Sequence, residues 1–211
     1  MIADSPYGVR WILRSLLNTL FPTECLACDQ VLDATDTSLC KACFTMLEYV
    51  NPENRCSGCM ALYQDSSRSD HLCPSCRHRG LNFNKMMVTC LDDPLSRKVI
   101  TLMHEKRDEK LMELLASLMI IQLDRLKAPP YDRIAPIPHA KGGHQLTKIL
   151  SKKLSIPRFK LSEPLKMGSN ILLVAPHLST FVEARRRAAT LSGQLLHNVD
   201  IMSFTSAHLQ N

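Results

Sequence analysis

Four pairs of cysteines, each with two residues between its members, dominate the first part of this 211-residue chain. The pairs are Cys25 and Cys28, Cys40 and Cys43, Cys56 and Cys59, and Cys73 and Cys76. Two intervening residues form a tight turn in which both sulfurs can face one ion, and a second pair completes a tetrahedral Cys₄ site. Nine cysteines placed at random would seldom give more than one such pair. The spacing therefore predicts two zinc ions.

The spacing leaves the partnership of the pairs open. Consecutive pairing needs the shorter loops and gives Cys25, Cys28, Cys40 and Cys43 one ion and the other four cysteines the second. Interleaved pairing, as in cross-braced fingers, is the alternative. Four thiolates leave no open position for water, so both ions are expected to be structural and not catalytic. A disulfide framework or an iron–sulfur cluster is the competing interpretation of the same pairs.

The N-terminal segment predicts a short amphipathic helix over residues 1–22. Its apolar residues recur at helical spacing: Val9, Ile12, Leu13, Leu16, Leu17 and Leu20. Asp4 stands where a secretory signal carries positive charge, and Arg14 interrupts the apolar stretch. We therefore expect a cytoplasmic protein without a transmembrane segment, in a compartment where grouped cysteines bind metal.

The remainder of the chain differs in its charge and in its pattern of apolar residues. Residues 1–83 hold 7 Lys and Arg against 9 Asp and Glu, whereas residues 84–211 hold 19 against 11. From residue 84 onward, strand patterns alternate with helical ones, and this order is typical of a parallel sheet with crossover helices. The predicted strands are 85–91, 133–137, 170–174 and 199–204, and the predicted helices are 94–105, 108–126, 143–154 and 180–191. The chain thus divides into a helix (1–22), a double zinc-binding module (23–83) and an α/β domain (84–211).

Two further motifs make a resemblance specific. They are Pro136-Ile-Pro138-His139 and Lys141-Gly-Gly-His-Gln145. Together with the four cysteine pairs, they resemble the competence protein F (ComF) family, zinc-bearing relatives of the phosphoribosyltransferases. The resemblance implies a phosphoribosyltransferase-like sheet after a double Cys₄ module, and a role in competence, DNA uptake and transformation. In that family, two Asp and a Thr-Thr-Gly loop follow the strand at 171–174 and bind phosphoribosyl pyrophosphate.

This chain departs from the family pattern at that loop. Ala175 and Pro176 stand in place of the carboxylates, and Phe181 stands in place of the glycine. Ser179 and Thr180 keep the hydroxyl positions of a remnant phosphate loop. A loop that turns backbone N–H groups toward a phosphate usually needs glycine. We therefore expect no enzyme activity. If the chain were active, it would be a phosphoribosyltransferase, a glycosyltransferase that uses Mg²⁺.

Charge supports a binding function instead. The candidate contacts to single-stranded DNA lie on two predicted helices: Lys141, Lys148, Lys152, Lys153, Arg185, Arg186 and Arg187. Aromatic residues make up only 5% of the chain, which disfavours a base-stacking platform. The first hypothesis is a DNA-handling accessory protein with a degenerate transferase fold. The alternatives are an active transferase and a zinc-organised adaptor that docks on a partner such as a helicase or a recombination mediator.

Overall fold

The computed structural model describes residues 23–33, 38–63, 72–79, 83–137, 140–160, 168–179, 185–186, 188–189 and 198–210. The predicted helix over 1–22 lies outside them, as do Thr180, Phe181 and Arg187. The described residues fall into two compact units, one ending at Met46 and the other beginning at Leu47. The second cysteine cluster therefore groups with the sheet, whereas the sequence placed both clusters in one module. No helix within the described ranges has the length and apolar character needed to cross a bilayer.

The elements follow one another in an α/β order. The helices are α1 (Lys41–Thr45), α2 (Pro74–Arg79), α3 (Pro94–Lys106), α4 (Glu109–Arg125) and α5 (Gly143–Leu154), and a 3₁₀-helix spans Ala207–Gln210. The strands are β1 (Lys85–Val88), β2 (Arg133–Pro136), β3 (Asn170–Leu178) and β4 (Asn198–Ser206). They form one parallel sheet in the order β1-β4-β3-β2. The predicted fold class, a parallel α/β sheet with crossover helices after a double Cys₄ module, is confirmed.

Local sequence explains where the first helices begin and end. Asp93 caps α3, because its Oδ1 accepts from the backbone N–H of Ser96 at 2.9 Å, and Pro94 occupies the first helical turn. Arg107 adopts a left-handed conformation (φ 47°) that ends α3. Asp108 then caps α4 by accepting from the N–H of Leu111 at 2.6 Å. The two predicted helices are therefore separate, with a break of two residues between them.

The core lies between the sheet and the pair α4 and α5, which pack on each other. Helix α5 contacts β2 and β3, whereas α4 contacts β1 and β4. Almost every residue of the two central strands is buried, as expected for a parallel sheet that is covered on both faces. Methionines supply much of the bulk in this core: Met86, Met87, Met103, Met112 and Met119.

Strand β3 is longer than the sequence predicted. The prediction ended the strand at Val174, but it continues to Leu178 and pairs with β4 throughout. Pro176 is tolerated in β3 because its backbone nitrogen, which has no N–H to donate, faces the β2 side of the strand. The carbonyl of Val174 accepts from Ile137 on the β2 side at 2.8 Å, and Pro176, two residues later, faces the same side. Strand β2 has ended by then, so the missing N–H breaks no ladder hydrogen bond.

The outer edge of β1 is covered by the second cysteine cluster. The N–H of Met86 donates to the carbonyl of Gly58 at 2.7 Å, and the N–H of Val88 donates to Sδ of Met60 at 3.2 Å. The neighbouring segment also pairs, because the N–H of Val50 donates to the carbonyl of Thr89 at 2.9 Å. An uncovered edge strand presents free backbone groups to other chains. The second cluster therefore completes the sheet as well as binding a metal.

Candidate functional site

The first cysteine cluster is built from a tight turn and the start of a short helix. The N–H of Cys25 donates to the carbonyl of Gln30 at 2.7 Å, and that of Asp29 donates back to the carbonyl of Cys25 at 2.9 Å. Cys40 caps α1, and its N–H donates to Sγ of Cys25 at 3.3 Å. The turn thereby brings the sulfurs of Cys25, Cys28, Cys40 and Cys43 within 4.8 Å of one another.

The second cluster repeats this geometry hydrogen bond for hydrogen bond. The N–H of Cys56 donates to the carbonyl of Ala61 at 2.8 Å, and that of Met60 donates to the carbonyl of Cys56 at 2.8 Å. The N–H of Cys73 donates to Sγ of Cys56 at 3.2 Å. The sulfurs of Cys56, Cys59, Cys73 and Cys76 again lie within 4.8 Å of one another. The structure therefore groups consecutive pairs and not interleaved ones.

Both clusters fit zinc. A tetrahedral site with Zn–S bonds of about 2.3 Å places its sulfurs about 3.8 Å apart. The Sγ atoms of Cys28 and Cys40 are 3.7 Å apart, and so are those of Cys59 and Cys73. Four sulfurs at this spacing match zinc and leave no open position. Each cluster holds one structural zinc ion, as the sequence predicted.

The protonation of the thiols shows why these clusters need the ion. In the second cluster, a hydrogen bond from Cys59 and several backbone N–H groups lower the pKa of Cys56 to about 4. In the first cluster, burial would raise the pKa of Cys25. Hydrogen bonds from the backbone N–H groups of Cys40, Ala27 and Cys28 outweigh burial and lower this pKa to about 7. Burial raises the pKa of Cys43 and raises that of Cys76 to about 12. The lowered pKa values favour a thiolate at Cys25 and at Cys56, whereas burial opposes ionisation of Cys43 and Cys76 when no metal is bound.

The remaining cysteine, Cys90, follows β1 and is fully buried. Its N–H donates to the carbonyl of Phe204 at 2.8 Å, and burial raises the pKa of its thiol to about 12. It is thus a protonated core residue outside both clusters.

A polar cluster that the sequence did not reveal lies at the carboxyl edge of the sheet. Asp92, only 2% exposed, forms an ion pair with Arg97 at 3.1 Å. Its other oxygen lies 3.9 Å from Nδ1 of His177 on β3, and that nitrogen is 2.9 Å from Oγ1 of Thr205 on β4. Both partners use the same ring nitrogen of His177, so the three residues do not form a proton relay. Only the position of Asp92, soon after a strand, could have pointed to this cluster.

Among the residues that the structure describes, this edge offers no free pair of carboxylates of the kind that a phosphoribosyl pyrophosphate site uses. Asp92 and Asp93 are adjacent carboxylates at this edge, but Asp92 forms an ion pair with Arg97, and Asp93 is engaged as the cap of α3. Ser179, the described residue of the predicted phosphate loop, directly follows β3 and is exposed. Mg²⁺ coordination by paired carboxylates is therefore not built into this edge.

The predicted basic residues are divided between different places. Lys148 and Lys152 lie on the outer side of α5, opposite its buried residues Leu146 and Leu150. Lys141 precedes the helix near His104, whose pKa is lowered by burial and then by the charges of Lys141 and His177. Lys153 is exposed at the flank of α5.

Two of the three predicted arginines are described. Arg185 is half-buried and Arg186 is exposed, both in helical conformation. Lys148 and Lys152 are thus the pair that shares one helical face with the spacing of a single turn.

Comparison with known proteins gives one family match. Residues 16–77 match the model of the double zinc ribbon domain, which covers both cysteine clusters. No curated protein matches the chain at a significant level.

The solved structures to which this chain is similar include two adenine phosphoribosyltransferases and a UMP synthase. One is an adenine phosphoribosyltransferase (16% identity, TM-score 0.35, covering 47% of this chain and 73% of that one). Another is adenine phosphoribosyltransferase from Saccharomyces cerevisiae (18% identity, TM-score 0.34, covering 47% of this chain and 72% of that one). The third is UMP synthase from Leishmania donovani (17% identity, TM-score 0.38, covering 54% of this chain and 29% of that one). With TM-scores this low, these likenesses add nothing to what the sheet topology already shows.

Proposed function

We propose that this chain is a cytoplasmic, ComF-like accessory protein of DNA uptake or DNA handling that binds single-stranded nucleic acid and catalyses no reaction. The zinc ribbons and the parallel sheet are its scaffold. The binding surface is the outer face of α5. The observation that carries the proposal is the one-sided charge of this helix and the segment that follows it.

The charge of this region is unbalanced. Residues 140–160 contain six Lys and Arg and no Asp or Glu. Gln145, Lys148 and Lys152 are exposed on the side of α5 opposite its buried residues, and side chains four residues apart lie about 6 Å from each other. Among the described residues, no carboxylate forms an ion pair with these lysines. Such a face attracts a polyanion through counterion release, without reading its sequence.

The carboxyl edge of the sheet argues against catalysis. The resemblance implies two carboxylates at positions 175 and 176, but this part of the chain is a paired strand that carries Ala175 and Pro176 instead. The buried carboxylate at that edge is occupied by an arginine. The missing carboxylates and the ion pair of Asp92 support a binding function without catalysis.

The test is the binding of a labelled single-stranded oligonucleotide across a salt series. Affinity should fall with salt with a log–log slope of about −0.7 per phosphate contact. Lys148→Glu with Lys152→Glu should weaken binding at least tenfold, equally for all sequences, and should flatten the slope by about 1.4. The matched control is Lys110→Glu with Arg125→Glu, because both residues are exposed on α4 and the change in charge is the same.

A parallel titration with phosphoribosyl pyrophosphate and Mg²⁺ should give no measurable binding. Micromolar, Mg²⁺-dependent binding would overturn the non-enzymatic proposal and favour an active transferase. Oligonucleotide affinity that ignores salt, or that survives the charge reversal on α5, would overturn the nucleic-acid proposal and favour a zinc-organised adaptor for a helicase or a recombination mediator.

A further inference from the structure

A buried arginine beside the second zinc cluster has no acidic partner among the residues that the structure describes. Arg55 is 8% exposed, its Nε donates to the carbonyl of Asn51 at 3.0 Å, and its Nη1 donates to the carbonyl of Met60 at 2.9 Å. Both acceptors are neutral, and no carboxylate among the described residues lies within 4.0 Å of the guanidinium. A buried charge is costly unless it is paired. The two backbone bonds fix the side chain but leave its charge uncompensated.

The guanidinium faces a cavity of about 220 Å³ at the amino end of β1. Its charged lining residues are Arg55 and Lys85, and its polar lining includes Ser57. Apolar walls come from Met60, Met86 and Leu126, and Cys56 of the second zinc cluster also lines the cavity. None of the described lining residues is an Asp or a Glu. Two cations and a hydroxyl around a small volume with apolar walls are the chemistry that binds a compact oxyanion.

The first zinc ribbon shows that the ribbon itself does not require this arginine. The residue before the first zinc ligand is Glu24 in one ribbon and Arg55 in the other, and each pairs in the same way, with Val31 and with Leu62. The turns that follow have equivalent hydrogen bonds. Glu24 is exposed, whereas Arg55 is buried. The cation is therefore an addition to the second ribbon, placed where the cavity lies.

We propose that this cavity binds a phosphoryl group, held by the Arg55 guanidinium, the Lys85 ammonium and the Ser57 hydroxyl. A tetrahedral phosphoryl group presents oxygens in several directions, so it can accept from an arginine and a lysine at once. The source of the group is inorganic phosphate or the terminal phosphate of a nucleic acid. The site lies at the amino end of the sheet and does not rest on the basic face of α5.

The experiment uses the zinc-loaded full chain. Inorganic phosphate is titrated by calorimetry and by thermal melting, against chloride at equal ionic strength. We expect a saturable heat and a saturable rise in melting temperature. Arg55→Gln and Lys85→Gln should each weaken phosphate binding at least tenfold. The control Lys110→Gln, and the double charge reversal on α5, should leave it unchanged.

A second arm separates the two sources. A 5′-phosphorylated oligonucleotide that competes with inorganic phosphate, where its 5′-hydroxyl counterpart does not, identifies a nucleic-acid end as the ligand. Absence of such competition identifies the free anion. Either result supports the phosphoryl site.

Two outcomes would overturn the proposal. The first is a response to phosphate no greater than that to chloride. The second is loss of one zinc equivalent in Arg55→Gln, because this would make Arg55 the counterion of the negatively charged zinc–thiolate cluster. If Arg55→Gln does not fold, unchanged phosphate binding by Lys85→Gln overturns the proposal independently.

Discussion

The two zinc ribbons of this chain have the same internal structure but different surroundings. Each uses a turn closed by the same two backbone hydrogen bonds and a cysteine N–H that donates to the first ligand sulfur. The first ribbon belongs to the unit that ends at Met46, and Cys28 is exposed. The second belongs to the unit of the sheet, and all four of its cysteines are buried. One local design therefore serves once as a self-contained module and once as part of a larger core.

The difference arises from the residues around the ligands and not from the ligands themselves. In the second ribbon, Gly58 and Met60 accept hydrogen bonds from β1, so the turn between the ligands also covers the edge of the sheet. Tyr63 also packs against the cluster. Metal binding in the second ribbon should therefore be coupled to the folding of the sheet, whereas metal binding in the first should be coupled only to its own unit.

The largest effect is expected from Cys59→Ser. Loss of one thiolate should release the second zinc, whose binding contributes on the order of 10–16 kcal/mol to folding. The covering of β1 would be lost with it, so the whole sheet unit should unfold. Zinc analysis should give one equivalent, and circular dichroism should show loss of most helical signal. The control is Cys90→Ala, which removes a buried thiol that binds no metal and should keep both ions. A cooperatively folded sheet with one zinc would contradict the coupling.

Cys28→Ser removes the equivalent interaction from the first ribbon. It should also release one zinc, but the free energy of unfolding of the sheet unit should change by less than about 0.5 kcal/mol, because the first ribbon belongs to a different unit. Urea denaturation and amide exchange of β3 and β4 measure this directly. A loss of sheet stability as large as that caused by Cys59→Ser would show that the two ribbons do not differ in the proposed way.

The sequence predicted those parts of the molecule that depend on local chemistry. The bounds of α5 were predicted as Gly143–Leu154, because Leu146, Ile149, Leu150 and Leu154 recur at helical spacing, and the structure has the same bounds. The zinc ligands were predicted because two-residue spacing is itself the geometry. The predicted end of β3 was wrong, because a proline such as Pro176 usually indicates that a strand ends. The sequence does not show that β2 has already ended beside Pro176, so that no hydrogen bond is lost there.

Interactions between residues distant in the sequence could not be predicted. The carboxylate of Asp92 meets a histidine that lies far along the chain, and nothing in either local sequence indicates that contact. The Arg55 cavity depends on the approach of a zinc turn to β1 and on the end of α4. Gln122 shows the same limit, since it falls within an apolar helical face and gives no sign of its role.

Gln122→Met tests how the sheet unit holds the segment before the second ribbon. The side chain is 1% exposed, and its Nε2 donates to the carbonyl of Val50 at 2.9 Å and to that of Val88 at 3.0 Å. Substitution leaves two buried acceptors without these donors, so we expect a loss of about 2–4 kcal/mol in the free energy of unfolding. Leu118→Met, a buried substitution on the same helix that nearly conserves volume, should cost less than about 1.5 kcal/mol. Equal losses for the two variants in urea denaturation would exclude the bridging role.

The smallest effect is a dependence on pH that only the sheet unit should show. Asp200 is 3% exposed, and its oxygens accept from the N–H of Lys85 at 3.2 Å and from the hydroxyl of Tyr131 at 2.7 Å. Burial raises the pKa of Asp200, although the Tyr131 and Lys85 interactions oppose the shift. The folded state therefore holds this proton more tightly than the unfolded state does. The resulting stabilisation is complete below the unfolded pKa and is lost as pH rises through the folded pKa.

Asp200→Asn removes this titration, so the difference in unfolding free energy between the parent chain and the variant should decline as pH rises through that window. At neutral pH, the exchange of a carboxylate for an amide in these hydrogen bonds should change the stability by about 1 kcal/mol. Urea denaturation from pH 4 to pH 7 measures both quantities, with the exposed Glu113→Gln as the control. Because Asp200 lies in the sheet unit, Cys28→Ser should leave the pH dependence intact. Parallel curves for the parent and Asp200→Asn would show that this carboxyl titrates alike in the folded and unfolded chains.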